Sequence, residues 1–192
     1  MSGPVLPVDF YERSPETVAR ELLGKILVRR LDDHEVTGVI VETEAYFGLG
    51  DPASRAYDGK KAYNHLMWGQ PGRTFIYNVH RYWMLNIVAH EPNEIGAVLL
   101  RALEPIGGIE HMKRYRPVDE LVELTNGPGK LTLALHIDKT VNGVVVASPG
   151  SEIRVVDHTA PGVISRSHRI GVRLDLERPL RYFIAGNEFV SR

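Results

Sequence analysis

The chain has 192 residues, 43% of them hydrophobic and 24% charged, with a formal net charge of −1. That length supports one sizeable hydrophobic core, and the charge excludes a protein that coats nucleic acid through bulk positive potential. The absence of cysteine excludes disulfides and thiolate metal sites.

The chain opens "MSGPVLPVDFYERSPE", with prolines and acids where a secretory leader needs a basic start and an apolar run. No apolar stretch approaches the roughly 20 residues of a membrane span, so an intracellular protein is expected. "SPETVARELLG" reads as a helix that Ser14 can cap, with Pro15 in its first turn and Gly24 at its end. "KILVRRL" and "EVTGVIVETEAY" read as strands joined by the turn "DDH".

The end of the second strand is chemically unusual. Side chains alternate faces along a strand, so Glu42, Glu44 and Tyr46 point the same way. Two carboxylates and a phenol facing a cavity can activate water and stack a flat ligand. A solvent-facing strand edge accounts for the same pattern. The following loop, "GLGDPASRAYDGKKAYN", is rich in small residues and tyrosines, and function tends to sit on such loops.

"RTFIYNVHRYWMLNIVAH" reads as two strands with a bend near Asn78 to Arg81. Its aromatics, Phe75, Tyr77, Tyr82 and Trp83, fit either a core or a platform for an unstacked nucleobase. His80 and Arg81 stand at the bend, where a hairpin tip can meet a phosphate backbone. "GAVLLRALEP" reads as a buried strand ended by Pro105, and "GGIEHMKRYR" as a helix.

"GPGKLTLALHI" is a glycine turn opening another helix, with Gly127 first and Lys130 in the first turn. It lacks phosphate-loop spacing, though free backbone N–H groups there can hold a phosphodiester. "TVNGVVVA" carries an Asn-Gly hairpin signal, and "SEIRVVDH" and "RPLRYFIAG" read as strands. From Arg154 onward seven arginines face four acids, so a nearly neutral chain can still own a basic face. Strands and helices do not alternate regularly, which predicts an α+β fold with a mixed or mostly antiparallel sheet. No repeat or linker divides residues 1–192, so a single domain is expected. The eight histidines show no ligand spacing, and no metal site is expected.

Taken in order, "VETEAY…GDPAS", "GRTFIY", "LNIV", "AVLLRALEPIGGIE", "NGPGKL" and "RIGV…PLRYFIAGNEFVSR" resemble the alkyladenine (3-methyladenine) DNA glycosylase family. The resemblance runs from about Ser14 to Arg192. It implies a single compact domain with a curved antiparallel sheet and flanking helices. It also implies an enzyme that flips a damaged purine out of duplex DNA and hydrolyses the N-glycosidic bond, as a monomer, without metal, cofactor, membrane or protein partner. In that family's pattern Glu44 matches the water-activating base, Tyr46 and Tyr77 the aromatics around the flipped base, and Asn86 a polar pocket residue. Arg101 matches a DNA-backbone contact, and Glu42 is a structural neighbour. Gly127 and Lys130 belong with the backbone contacts. Two positions depart from the pattern. Arg55 stands where the family usually has histidine, and "NVHRYWML" replaces the segment carrying its wedge tyrosine, leaving His80 nearest by position. A non-catalytic nucleic-acid-binding domain and a nucleoside hydrolase are the alternatives to a glycosylase of alkylated or deaminated purines.

Overall fold

A computed structural model describes residues 3–32 and 34–191. Asp33, in the expected "DDH" turn, and Arg192, last of the arginine-rich segment, lie outside the described residues.

Helix α1 (Pro15–Leu22) buries Pro15, Val18, Ala19 and Leu22, a spacing that keeps one face on the core. Ser14 precedes it but makes no side-chain cap. Its carbonyl instead accepts the Val18 N–H at 3.0 Å. Gly24 follows at φ +82°, where a Cβ would lie 2.7 Å from the Thr159 carbonyl oxygen, so both conformation and space require glycine.

Strands β1 (Ile26–Leu31) and β2 (His34–Tyr46) form an antiparallel pair. β3 (Thr74–Val79) and β4 (Tyr82–Val88) form a hairpin, and β5 (Ala97–Gly107) pairs with both β4 and β2. β6 (Ile153–Val156) lies on the far side of β1. The sheet order is β3-β4-β5-β2-β1-β6, every pairing antiparallel. β8 (Arg181–Ile184) pairs with β2 over Glu42 to Glu44 and with β7 (Ile164–Ser167). Helices α2 (Ile109–Tyr115) and α3 (Pro128–Ala134) complete an α+β domain with a curled antiparallel sheet. Among the described residues no helix is long and apolar enough to cross a membrane.

The core joins α1 to the sheet through Leu22, Leu27, Ile40, Leu85 and Leu100, all fully buried. Each such side chain contributes about 1.5–3 kcal/mol. Register shifts in the β2–β5 pairing, between Ile40 and Glu42 and again between Glu42 and Thr43, bend β2 where its glutamates begin.

Two sequence expectations change here, and one strand was not expected. β5 does not end at Pro105 but runs to Gly107, because Pro105 falls at a register shift, where a missing N–H is tolerated. "TVNGVVVA" forms no hairpin. Asn142 spends its side-chain oxygen on the Ile76 N–H at 2.8 Å, and Gly143 and Val146 donate to Thr74 and Gly72, so the segment runs along the β3 side of the sheet. β7 gave no sequence signal, since "ISRS" is short and half polar.

Candidate active site

Glu42 to Glu44 is the stretch where β2 has β5 on one side and β8 on the other. Both glutamates are therefore fully buried, which removes the solvent-facing-edge reading. A buried carboxylate requires partners. Glu42 Oε1 accepts from Arg101 Nε (2.9 Å), Arg181 Nε (2.6 Å) and Ser191 Oγ (2.8 Å), and Oε2 accepts from the Ser191 N–H (2.7 Å). This carboxylate is saturated and ties β2, β5 and β8 to the segment around Ser191.

Glu44 is held more sparingly. Oε1 accepts the Ile170 N–H at 2.8 Å and lies 3.2 Å from Arg101 Nη1; Oε2 accepts the Tyr46 hydroxyl at 2.7 Å. Burial pushes its pKa above the ordinary glutamate value, and Glu42 adds to the rise. Arg101, the Ile170 N–H and the Tyr46 hydroxyl oppose it without cancelling it. The Tyr46 phenol is pushed well above its usual value by burial and by Glu44, so it remains a neutral donor.

Arg169 holds this arrangement from behind. Fully buried in its side chain, it bonds both Asp51 oxygens (2.6 and 2.7 Å), Asp175 and the Ala45 carbonyl, with its guanidinium 4.6 Å from the Tyr46 ring centroid. One side chain thus fixes the loop after β2, the ring of Tyr46 and the backbone that presents Ile170 to Glu44. In the sequence Arg169 is one of seven arginines from Arg154 onward, with nothing local to single it out. Its partner Asp51 is 118 positions away, and no local pattern couples them.

Three of Glu44's partners, Tyr46, Arg101 and Ile170, line a cleft of about 500 Å³ together with Arg55, Tyr77 and Met84. Tyr77 is half-buried, and burial raises its phenol while the charge of Arg55 opposes the rise. The Arg55 guanidinium lies 4.6 Å from the Tyr77 ring centroid. A second cleft of about 580 Å³, reached across Met84, Arg101 and Pro128, is lined by Tyr82, Arg116, Gly127 and Lys130.

Lys130 Nζ donates to Asn126 Oδ1 at 2.7 Å, and Gly127 stands at the start of α3. A Cβ on Gly129 would meet the Tyr82 ring at 2.8 Å, so glycine lets α3 brace the β3–β4 hairpin. At the hairpin tip His80 (φ +54°) and Arg81 form a two-residue turn between the paired Val79 and Tyr82, and both are exposed.

The structure brings Tyr46, Tyr77, Arg55 and Arg101 to one cleft, with Glu44 buried behind its wall, and Gly127 and Lys130 to the neighbouring cleft. Two expected positions differ. Asn86 is buried and not among the cleft-lining residues; its Nδ2 donates to the carbonyls of Phe75 (3.1 Å) and Met84 (3.2 Å), because β4 is interior there, between β3 and β5. Arg101, expected at a DNA backbone, has its guanidinium buried between the two glutamates, although its edge reaches both clefts.

The model of the family described as Methylpurine-DNA glycosylase (MPG) matches residues 9–188. Relatives from Aeropyrum pernix (44% identical, covering 99% of this chain and 94% of its own), Methanocella arvoryzae (43%, 98% and 96%) and Koribacter versatilis (39%, 97% and 92%) each carry the name "Putative 3-methyladenine DNA glycosylase". With a family match across nearly its whole length and relatives of this identity, the chain belongs to the methylpurine-DNA glycosylase family.

Proposed function

We propose that this protein is a monofunctional DNA glycosylase. It turns an alkylated or deaminated purine nucleotide out of duplex DNA and hydrolyses the bond between the base and C1′. The observation that carries this reading is Glu44, a buried carboxylate with a raised pKa directly behind the wall of a cleft containing two tyrosine rings. A general base works best with a pKa near the working pH, and burial moves Glu44 in that direction.

The base enters the cleft between Tyr46 and Tyr77. As the glycosidic bond lengthens, positive charge develops on the sugar, and the ionised Glu44 stabilises it while taking a proton from the attacking water. Tyr46 and the Ile170 N–H aim the carboxylate, and Arg101 holds it without an exposed phosphate contact. Gly127 and Lys130 lie along the second cleft and contact the DNA backbone. His80 and Arg81, exposed on a braced hairpin, enter the gap left by the flipped nucleotide and reach a nearby phosphate.

The test compares three substrates: a duplex with one hypoxanthine or 7-methylguanine, the same duplex undamaged, and the matching free nucleosides. Free base released only from the lesion duplexes is the expected result. Binding without release favours the non-catalytic reading, and cleavage of nucleosides favours a nucleoside hydrolase.

A further inference from the structure

The cleft carries its own cations where a base must stack. Arg55 and Tyr77 both line it, with the guanidinium 4.6 Å from the ring centroid. The other ring, Tyr46, already has Arg169 at 4.6 Å. Arg101 and Arg173 also line the cleft, and among its described lining residues there is no Asp or Glu. Glu44 lies behind that lining and is shared with Arg101. Arg169 stands behind the lining and is paired with Asp51 and Asp175, and Arg101 is paired with Glu42 and Glu44, so the positive charge that an entering base meets is that of Arg55 and Arg173.

We infer that Arg55 is a specificity-determining residue that makes this site select electrically neutral 6-oxopurines, such as hypoxanthine, over cationic alkylated purines. The inference rests on the glycosylase reading above and narrows its substrate class. Two physical arguments support it. Aromatic faces attract cationic ligands through the ring quadrupole, but a resident guanidinium occupies that interaction and repels a second cation. The planar fork of an arginine also matches the O6 and N7 acceptors of a 6-oxopurine, the geometry by which arginine reads guanine. Alkylation at N7 removes one acceptor and adds a positive charge.

The same placement bears on the leaving group. When the C1′–N9 bond breaks, its electron pair goes to the base. A cationic purine leaves neutral, whereas hypoxanthine leaves as an anion whose charge spreads to O6 and N7. Water supplies the hydroxyl to C1′ and its proton to Glu44, and the base regains a proton from solvent after release. The Arg55 guanidinium stabilises the departing anion as a fixed donor. Intact purines remain harder to extract, because unpairing costs least for a mispaired or damaged base.

The test is single-turnover base release from otherwise identical duplexes carrying hypoxanthine or 7-methylguanine, each expressed as acceleration over spontaneous loss. The parent should accelerate hypoxanthine release more. Arg55→Ala should lower hypoxanthine release by about 10²-fold, as for loss of one charge-stabilising donor, and raise release of 7-methylguanine. Arg55→Lys, which keeps charge without the fork, should fall between for hypoxanthine. A drop of at least tenfold in the hypoxanthine-to-7-methylguanine ratio in Arg55→Ala sustains the proposal, and a smaller change overturns it. A parent that accelerates 7-methylguanine release more also overturns it. If the parent releases neither base, the glycosylase reading itself fails.

Discussion

Glu42 and Glu44 stand two residues apart on one strand, both fully buried and both within reach of Arg101, yet their surroundings differ. Glu42 has two arginine Nε donors, a serine hydroxyl and a backbone N–H. Glu44 has one phenol, one backbone N–H and a more distant arginine contact. Burial costs either carboxylate, but only Glu42 has two guanidinium donors, both on Oε1, with a hydroxyl and a backbone N–H completing its set. At Glu44 the deficit is retained as a raised pKa, beside the cleft. Two identical residues on one strand thus divide into a structural joint and a reactive group through the number and charge of their donors.

The sharpest way to break this contrast is Glu44→Gln. It should lower base release by on the order of 10² to 10⁴, as loss of a general base does, while lesion-duplex binding stays close to the parent's. Single-turnover release together with a binding titration checks it. Near-parental release would remove Glu44 from the chemistry.

Glu42→Ala should act on the fold. Removing one partner of a buried charge cluster costs about 3–5 kcal/mol, because Arg101 and Arg181 keep their burial and lose their shared acceptor. For a chain of this length the melting temperature should fall by on the order of 10 °C, read by thermal unfolding. Glu44→Gln should melt at or above the parent at neutral pH. Glu44 binds its proton more tightly folded than unfolded, so its stabilising contribution is present at low pH and is lost as pH rises through the raised pKa. If both variants lose similar stability, the division between joint and reactive group is wrong.

The pH profile sharpens the same point. Glu44 acts as a base only when ionised, so release should fall as pH drops through its pKa, with the acid limb above the ordinary glutamate range. A rate–pH profile on hypoxanthine duplex measures that limb. A limb at the ordinary glutamate value would mean that Glu44 is solvated in the working complex.

The smallest effect is expected away from both glutamates. Lys130→Ala should weaken binding to damaged and undamaged duplex by similar factors and reduce the salt slope by about one. Salt-dependent binding titrations measure it. Loss confined to damaged DNA would move Lys130 into base recognition.

The sequence by itself determined much of this protein. The alternation of "ETEAY" set Glu42, Glu44 and Tyr46 on one face, because strand periodicity is a local property of the backbone. The α+β class, the β3–β4 hairpin and helix α3 were legible for the same reason, through apolar spacing and turn residues. The ordered motifs carried the family. Tertiary structure decided what no local pattern encodes. β5 and β8 enclosed Glu42 to Glu44 and converted a possible surface edge into buried charge. Arg101 went between the carboxylates, and Asn86 turned its amide to backbone carbonyls inside the sheet. Arg169 reached Asp51 across 118 positions to fix Tyr46 and Ile170 around Glu44. Periodicity fixes the face to which a side chain points, but desolvation and charge pairing depend on residues distant in sequence, and those set the chemistry of a carboxylate.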